Sequence, residues 1–283
     1  MILLEEFSDE YTMTLPLTYN TVYWQQWMDS SRNFERCQGP ENWESVMQKR
    51  IFMCWFGSKN LPKPRQRSLD LFRQMDCEII VVNEQNFSQW LVESHPIPGA
   101  WKFLSPVHKT NYLIAYLLHY HGGGHADFKP PTGSWVDSFQ LMQEHRELWA
   151  VGYPETRWSV SNFGVVAKPR YQPSNPNWWK YRFMQLNYKK LIGNCGFIFR
   201  PQTPLTLKWL KLADRLIYRN SFLLEKNPAK YAKERPGEIY DGLVSKYPIE
   251  WSSLAGDIMQ PLILKYHKRV RRTLPYPDLN NYQ

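Results

Sequence analysis

The sequence predicts an α/β fold in which a mixed, mainly parallel sheet is flanked by helices. Three observations lead to this prediction. Two strongly apolar strands are separated by a short helix, a longer apolar helix ends at three consecutive glycines, and strand and helix signals continue downstream. A strand–helix–strand unit of this spacing places its two strands parallel, with the helix packed on the sheet.

The first elements follow one another from residue 50. Residues 50–57 form a short apolar run that ends in glycine, which predicts a buried strand. We expect Pro62 and Pro64 to break the chain, after which residues 68–75 predict a short helix. Residues 77–83 (Cys-Glu-Ile-Ile-Val-Val-Asn) predict the second strand. These three elements form the predicted βαβ unit.

The remaining elements are predicted from apolar spacing. Residues 105–121 have apolar positions at helical spacing and stop at the three glycines. Residues 148–153 and 195–199 predict two more strands, and residues 205–218 predict an amphipathic helix. Since no linker or repeat interrupts this order, we expect one domain over residues 49–283. The aromatic and polar residues 1–48 are predicted to form an N-terminal cap packed on that domain.

Composition limits the function classes. With 43% hydrophobic residues the 283-residue chain can bury a core, and its formal net charge of +9 favours anionic partners. The four cysteines include no Cys-x-x-Cys pair, so neither a disulfide framework nor a zinc ribbon is expected. Neither a signal peptide nor an 18-residue apolar run is found, and we expect a soluble, cytoplasmic protein without a transmembrane segment.

The segment after the glycines carries the chemistry. Asp127 and Lys129 are two residues apart, which on an extended backbone puts them on one face. Because glycine lets a ligand approach the backbone closely, a carboxylate beside an ammonium here suits a diphosphate, either bound through a metal or neutralised directly. The alternative is a helix C-cap followed by a strand with a surface ion pair.

Other chemistries fit this segment less well. The His-Gly-Gly-Gly loop of some esterases requires a Gly-x-Ser-x-Gly elbow, which this chain lacks, and neither phosphate-binding glycine motif is present. A metal hydrolase using His119, His121, His125 and Asp127 stays open, although no His-Glu-x-x-His motif supports it.

Residues 108–135 resemble the DXD-type, GT-A-fold glycosyltransferases of the sugar-binding-region and capsular-polysaccharide-synthesis type. The family pattern is a Lys-Ser-Asp helix start, a helix ending in Tyr-x-Gly-Gly, and a strand bearing Asp-x-Asp. Lys109-Thr-Asn111 stands at the first motif, and Gly122, Gly123 and Asp127 match the others. With the two upstream strands, the resemblance covers roughly residues 50–135, and the Asn194-Cys-Gly-Phe segment is a later match.

The resemblance implies a GT-A-like, Rossmann-type fold and a hexosyl- or pentosyltransferase of polysaccharide biosynthesis. Such an enzyme moves a sugar from a nucleotide-diphosphate donor, UDP favoured, to a glycan hydroxyl, mostly with retention of configuration. Its Asp-x-Asp pair holds Mn²⁺ or Mg²⁺. Here Lys129 replaces the second Asp, and Ile114 stands where the family commonly has Arg. The metal requirement is therefore open, because Lys129 can meet the phosphates itself.

The resemblance also assigns candidate residues. Donor-binding candidates are the strand tip, the helix start, the glycines, the Asp-x-Lys pair and one asparagine, namely Trp55, Phe56, Gly57, Lys109, Asn111, Gly122, Gly123, Gly124, Asp127, Lys129 and Asn194. The resemblance gives less guidance further along the chain, where Glu238 and Asp241 lie in residues 236–242, which predict a polar loop able to reach a pocket. The catalytic candidates are Asp127, Glu238, Asp241 and Asp257, with Glu250 as an alternative, and one of the carboxylates other than Asp127 is the general base if the enzyme inverts. Metal-ligand candidates are Asp127 and His267. Trp55 as a core aromatic, Asn194 as a turn residue and His267 in a solvated basic helix remain alternatives.

The predicted partners are a nucleotide-sugar donor and a glycan acceptor. The basic run at residues 265–272 allows peripheral contact with an anionic membrane, or forms a solvated basic helix. No nucleic-acid-binding module accompanies it, so no nucleic-acid partner is expected. A non-catalytic carbohydrate-binding protein, a transferase that lost its second Asp, is the alternative function, and a metal-dependent hydrolase is the third.

Overall fold

The computed structural model of the protein describes residues 47–58, 60–164 and 176–280. These belong to a compact unit, Trp43–Gln283. Nearly all of the predicted N-terminal cap, residues 1–48, lies outside the described residues, so its packing on the main domain stays a prediction.

Six strands form one sheet in the order β2-β1-β3-β5-β4-β8, and two more form a separate hairpin. β5 runs opposite to the other five, because it pairs antiparallel with both β3 and β4, while the remaining pairings are parallel. The predicted mixed, mainly parallel α/β sheet is confirmed. The strands are β1 Arg50–Cys54, β2 Glu78–Val82, β3 Gly123–Ala126, β4 Ala150–Pro154, β5 Ile192–Phe199, β6 Ile239–Tyr240, β7 Leu243–Val244 and β8 Val270–Arg271.

Helices cover both faces of this sheet. The described helices are α1 Lys63–Phe72, α2 Pro106–Tyr120, α3 Val136–Glu144, α4 Pro176–Leu186, α5 Pro204–Arg219, α6 Ser221–Lys226 and α7 Gly256–Lys265. The apolar sides of α2, α5 and α7 pack in one core cluster, and those of α1 and α3 pack in a second. None of the helices in the described ranges is both long and apolar enough to cross a lipid bilayer.

The predicted βαβ unit is present, with a longer helix than expected. β1 and β2 pair in parallel through Ile51 and Ile79, and α1 connects them. Our expectation that Pro62 and Pro64 break the chain was wrong, since Pro62 is the N-cap residue and Pro64 lies in the first turn of α1. Proline is tolerated there because the first N–H groups of a helix have no partner within the helix.

The connection from α2 to β3 depends on its glycines. Gly122 and Gly123 have φ angles of 63° and 96°. A Cβ at Gly122 would lie 2.5 Å from the Pro201 ring, and one at Gly123 would lie 2.7 Å from the backbone oxygen of Arg50. These glycines therefore allow the chain to turn and pack tightly as β3 enters the sheet.

Two C-terminal segments differ from their predictions. The polar loop expected around residues 236–242 contains the β6–β7 hairpin, with Ile239 paired to Val244. The basic run at residues 265–272 is not one helix, because α7 ends at Lys265, a 3-10 turn follows, and the last residues enter β8. Val270 pairs with Ala150, so β8 is the edge strand of the sheet.

Candidate active site

The candidate site lies at the carboxyl edge of the sheet. Asp127 directly follows β3, and its backbone N–H donates to the backbone oxygen of Cys195 at 2.8 Å. Because β5 is reversed, its first half lies beside the ends of the parallel strands. Ligands of open α/β sheets commonly bind at this edge, outside the carboxyl ends of the strands.

Asp127 and Lys129 form an ion pair, with 3.6 Å between Oδ2 and Nζ. The prediction expected this proximity from alternation along a strand. The geometry differs, since β3 ends at Ala126 and the Lys129 N–H donates to the Asp127 carbonyl oxygen at 2.7 Å. A tight turn brings the two side chains together.

Lys129 is an unusually enclosed lysine, with only 8% of its surface exposed. Its ammonium donates to the Sγ atom of Cys195 at 2.7 Å, and the Cys195 N–H donates to the hydroxyl of Tyr153 at 3.2 Å. Burial raises the pKa of the Cys195 thiol to about 11, so the thiol stays protonated at neutral pH. The sulfur therefore acts as a neutral acceptor for the lysine.

His125 supplies a second group beside Asp127. Its Nδ1–H donates to the carbonyl oxygen of Phe52 at 3.2 Å, and its Nε2 lies 3.4 Å from Asp127 Oδ1. Burial raises the pKa of the Asp127 carboxyl, but His125, Lys129 and Cys195 together outweigh burial and hold this pKa below its usual value. About a third of the side chain remains exposed, so an ionised oxygen can reach a ligand.

A small cavity opens beside these groups, with room for about one water molecule. We call it the Asp127 cavity; it is lined by Phe72, Asp127, Lys129, Pro131, Trp135, Tyr153, Cys195, Gly196, Pro275, Tyr276 and Pro277. Residues 275–277 form one wall, which we name the C-terminal strap. The strap is held by the Thr132 hydroxyl, which donates to the Tyr276 carbonyl oxygen at 2.6 Å, and by the Asp278 N–H, which donates to the Pro130 oxygen at 2.8 Å.

The two aromatic residues of the predicted strand tip, Trp55 and Phe56, lie in different environments. Trp55 follows β1, donates from Nε1 to the Ser58 oxygen at 2.9 Å, and meets the Phe128 ring edge-on. It therefore stays close to the Asp127 turn. Phe56 is buried against Trp101 and belongs to the core.

Gly57, the last residue of the predicted strand tip, and the helix-start residues Lys109 and Asn111 lie near the same edge of the sheet. Gly57 has a φ of 131°, which turns the chain after β1. The Lys109 ammonium lies 3.6 Å from Glu84 Oε1 and 5.1 Å from the centroid of the Trp101 ring. Asn111 is partly buried on α2. Their contact with a nucleotide stays a prediction.

The predicted glycines do not line the Asp127 cavity. Gly122, Gly123 and Gly124 are buried at the amino end of β3. A Cβ at Gly124 would press on Trp135 and Ile51 at 3.1 and 3.3 Å. The structure therefore gives all three a packing role.

A second polar group surrounds Asp257 at the start of α7. The hydroxyls of Ser161 and Ser252 donate to Asp257 Oδ1 at 2.6 and 2.9 Å, and the Phe163 N–H donates to the same oxygen at 3.1 Å. We name these four residues the Asp257 cluster. They join the loop after β4 to the start of α7.

Buried side chains connect this cluster to the sheet. Gln260 accepts from the Ser161 N–H at 2.8 Å and donates to Glu155 Oε2 at 2.7 Å. Burial raises the pKa of Glu155 to about 7. Asn194 lies against the start of α7, because a Cβ at Gly256 would stand 2.9 Å from its Nδ2. Its Oδ1 atom is buried without a hydrogen-bond partner among the described residues.

The other two predicted catalytic carboxylates, Glu238 and Asp241, contact side chains in and beside the β6–β7 hairpin. Glu238 lies 3.1 Å from Arg235 and accepts from the Tyr240 hydroxyl at 2.6 Å, and Asp241 accepts from the Tyr231 hydroxyl. Neither carboxylate lines the Asp127 cavity.

His267 is placed away from Asp127. Its Nδ1–H donates to the Leu264 oxygen at 2.8 Å, just ahead of β8. Because β8 pairs with the beginning of β4, His267 lies at the amino edge of the sheet, whereas Asp127 lies at the carboxyl edge. The structure does not bring the two predicted metal ligands together.

The four residues of the alternative hydrolase site do not come together, since His125 lies beside Asp127 but His119 and His121 have other partners. His119 contacts the Thr206 hydroxyl at 3.1 Å, and His121 donates to the Trp90 oxygen at 2.8 Å. Among the residues that the structure describes, no group of three or more His, Cys, Asp or Glu side chains is placed to hold a metal ion. The predicted histidine set therefore does not form a metal site.

Sequence reasoning missed three parts of this site: Cys195 as the partner of Lys129, Tyr153, and the C-terminal strap. Cys195 adjoins the predicted Asn194, but its contact with Lys129 depends on the antiparallel register of β3 and β5. A single sequence contains no signal for that register.

No protein-family model matches the sequence, and no curated protein sequence matches it either. Among solved structures, the chain is similar to "PaToxG Glycosyltransferase", with a TM-score of 0.40 and 12% sequence identity. The similarity covers 85% of this chain and 76% of that one. A likeness of this size does not establish a shared family or activity.

Proposed function

We propose that this protein is a glycosyltransferase that moves a sugar from a nucleotide-diphosphate donor, UDP favoured, to a hydroxyl of a glycan acceptor. The observation that carries the proposal is the Asp127–Lys129 pair at the carboxyl end of β3, with Lys129 enclosed and Asp127 partly exposed. The order of helix, glycines, strand and Asp127, which suggested such an enzyme from sequence, supports it.

The Asp127–Lys129 pair suits the negative charge that develops on the leaving diphosphate during sugar transfer. The bond between the sugar carbon and the diphosphate oxygen breaks, the electron pair stays on the diphosphate, and the acceptor oxygen forms the new bond. Groups already fixed around the growing negative charge stabilise such a transition state most. Lys129 is held by Cys195 and Asp127 before any ligand arrives, so it is the proposed phosphate partner.

The residues around Asp127 fit a divalent cation poorly. A Mn²⁺ or Mg²⁺ ion prefers several oxygen ligands, whereas here one carboxylate stands between an ammonium at 3.6 Å and an imidazole nitrogen at 3.4 Å. Both neighbours compete with a cation for the Asp127 oxygens. We therefore propose that Lys129 neutralises the diphosphate and that Asp127 orients Lys129 and contacts donor hydroxyls.

The donor must enter beside the C-terminal strap. The Asp127 cavity has room for about one water molecule, far less than a nucleotide sugar requires. Donor binding therefore includes an outward movement of the strap, whose described ties to residues 130–132 include the two hydrogen bonds beside the Pro131–Pro277 bridge.

The acceptor side is proposed near Asn194 and the Asp257 cluster, at the same edge of the sheet. Asp257 already accepts three hydrogen bonds, which makes it a poor general base. Glu250 is the better candidate for an inverting reaction, because burial and the neighbouring Asp257 raise its pKa. A retaining reaction needs no such base, and the stereochemistry of the product distinguishes the two.

The first experiment is a thermal-shift screen of the full chain against UDP-, GDP-, CMP- and dTDP-sugars, each with Mn²⁺ and with EDTA. A ligand at ~100 times its Kd stabilises the folded state by about 2.7 kcal/mol. We expect a shift with one nucleotide class that EDTA does not remove. A shift that appears only with Mn²⁺ would contradict the assignment of Lys129.

Turnover then separates the enzyme from the alternative, a carbohydrate-binding protein without activity. Lys129→Met should lower kcat/KM for the donor at least tenfold. Lys190 is an exposed lysine on a 3-10 turn, and Lys190→Met serves as the matched control. If glycans shift the melting temperature and no donor is hydrolysed or transferred, the binding protein replaces the proposed enzyme.

A further inference from the structure

Strand β5 contains a bulge beside the candidate site. β4 and β5 pair regularly as far as Gly152, but Pro154 then pairs with Ile192. Regular pairing would place Pro154 opposite Cys195, so β5 accommodates three additional residues at this point. Bulges change the direction of side chains and are common next to active sites. The additional residues include Cys195, whose sulfur accepts a hydrogen bond from the Lys129 ammonium.

The buried side chain of Tyr153 supports this bulge from β4. Its ring lies directly against the backbone of Gly193, because a Cβ at that position would overlap the ring. Glycine lets the ring lie this close to the strand because it has no side chain. The Tyr153 hydroxyl also accepts a hydrogen bond from the Cys195 N–H at 3.2 Å. The ring and the hydroxyl therefore hold two residues of the bulge in place.

Successive contacts connect Tyr153 to the proposed phosphate partner. Tyr153 holds the backbone N–H of Cys195, and the sulfur of the same cysteine lies 2.7 Å from the Lys129 ammonium. Burial raises the pKa of the Tyr153 hydroxyl well above its usual value, so this hydroxyl stays protonated and is not available as a base. Tyr153 therefore acts through the groups that it holds and not by proton transfer.

The Tyr153 ring also borders the C-terminal strap, since its centroid lies 5.3 Å from that of the Tyr276 ring. The outward movement of the strap that donor entry requires would remove this contact. The contacts with Gly193 and Cys195 belong to β5 and are kept. Lys129 therefore retains its support while the donor enters.

We propose that Tyr153 is a positioning residue, which holds the β5 bulge so that Cys195 keeps the Lys129 ammonium in place for the donor diphosphate. The inference rests on the proposed function, because the diphosphate is the group that Lys129 meets there. A charged group stabilises a transition state most when it is already in position, and a small displacement is costly. Removing the support of Lys129 should therefore affect turnover although Tyr153 is not the proposed phosphate partner.

A double-mutant cycle on the full chain tests the proposal. Tyr153→Phe keeps the ring against Gly193 and removes the hydroxyl that accepts from Cys195. We expect kcat/KM for donor turnover to fall about fivefold, because the ammonium is then less well placed. In the Lys129→Met background the same substitution should have no further effect, since the residue through which it acts is absent. A purely structural role would lower kcat/KM by the same factor in both backgrounds.

Tyr116→Phe is the matched control for the loss of a buried hydroxyl. The Tyr116 hydroxyl accepts from the Val92 N–H at 2.9 Å, which is the same kind of contact, in a part of the core that does not line the Asp127 cavity. This variant should have the kcat/KM of the wild type. Thermal melts verify that both tyrosine variants are folded.

Lysine labelling measures the position of Lys129 without a donor. Because Lys129 is enclosed, reductive methylation with formaldehyde should modify it more slowly than the exposed lysines, and peptide mass spectrometry measures each rate. We expect Tyr153→Phe to raise the rate at Lys129 about fivefold, since a loosened bulge opens more often. Tyr116→Phe should leave this rate unchanged.

Three results would overturn the proposal: an unchanged kcat/KM in folded Tyr153→Phe, an equal loss in the Lys129→Met background, or an unchanged labelling rate at Lys129. None of them removes the proposed transferase activity, which the wild type alone demonstrates. If the wild type neither transfers sugar nor hydrolyses a donor, the proposed function fails, and the labelling rates then decide whether Tyr153 positions Lys129.

Discussion

Asp127 and Asp257 were both predicted as catalytic carboxylates, and the structure treats them differently. Asp127 lies 3.6 Å from the Lys129 ammonium and 3.4 Å from a ring nitrogen of His125, and about a third of its side chain is exposed. Asp257 accepts three hydrogen bonds on one oxygen at 2.6–3.1 Å, all from groups of the fold itself. Asp127 is available to a ligand, whereas Asp257 fixes a loop to a helix.

The difference shows that a carboxylate does not have to bind a ligand because it lies in a cluster of polar residues. Hydrogen bonds that saturate an oxygen stabilise the fold and leave that oxygen little capacity for a substrate. A long contact to an ammonium group keeps a carboxylate ionised while its lone pairs stay accessible. Activity and stability measurements on the two residues can therefore be expected to diverge.

Asp127→Asn should have the largest effect, a loss of about a thousandfold in kcat/KM for donor turnover. Asn removes the charge that orients Lys129 but keeps nearly the same shape. The melting temperature should fall less than in the Asp257 variant below. Steady-state kinetics and a thermal melt on the same sample verify this, and unchanged kcat/KM would remove Asp127 from the site.

Asp257→Ala should act on stability, lowering the free energy of unfolding by about 3 kcal/mol. The Ser161 and Ser252 hydroxyls and the Phe163 N–H lose their shared acceptor, and unsatisfied donors are costly. Urea denaturation measures the loss. A stable variant with abolished turnover would reverse the roles of the two aspartates.

Glu155, whose partner Gln260 connects it to the Asp257 cluster, predicts a pH dependence. Its pKa is raised to about 7 in the folded protein, so the folded state binds more protons than the unfolded state between the two pKa values. Its contribution to stability is present at low pH and is lost as the pH rises towards the folded pKa.

Between pH 5 and 8 the wild type should lose roughly 2 kcal/mol of unfolding free energy relative to Glu155→Gln. Denaturation curves at a series of pH values test this difference. Parallel stability profiles for the two proteins would show that the Glu155 carboxyl does not titrate in this window.

Cys195→Ala should have the smallest effect, because the cysteine acts on the donor through Lys129. Removing the sulfur frees the ammonium, and we expect a five- to tenfold higher KM for the donor with nearly unchanged kcat. Cys195→Ser keeps an acceptor and should restore most of the affinity. Equal defects in Ala and Ser would indicate a packing role instead.

Local sequence patterns predicted the parts of the molecule that depend on local spacing. The strands were predicted from residues 50–57 and 77–83. The proximity of Asp127 and Lys129 was also predicted, but from an extended strand, whereas a tight turn brings the two side chains together. The contact of Lys129 with Cys195 could not be predicted, because it depends on a reversed strand contributed from far along the chain. The Asp257 cluster depends likewise on how a loop meets α7.

One missed element did carry a readable signal. The stretch Ile239-Tyr-Asp-Gly-Leu-Val244 has Asp-Gly between apolar pairs, which is the pattern of a tight hairpin. The sequence analysis instead predicts a polar loop over residues 236–242, which contain Glu238 and Asp241.

The reversed strand β5 also determines when the site can form during folding. β3 and β4 have no hydrogen-bond ladder with each other, and β5 lies between them although it follows both in the chain. A nascent chain that has not yet completed β5 can build the βαβ unit, but Asp127 and Tyr153 then have no common neighbour. Because such non-local pairings form slowly, the candidate site is a late product of folding, and it appears only when β5 pairs between β3 and β4.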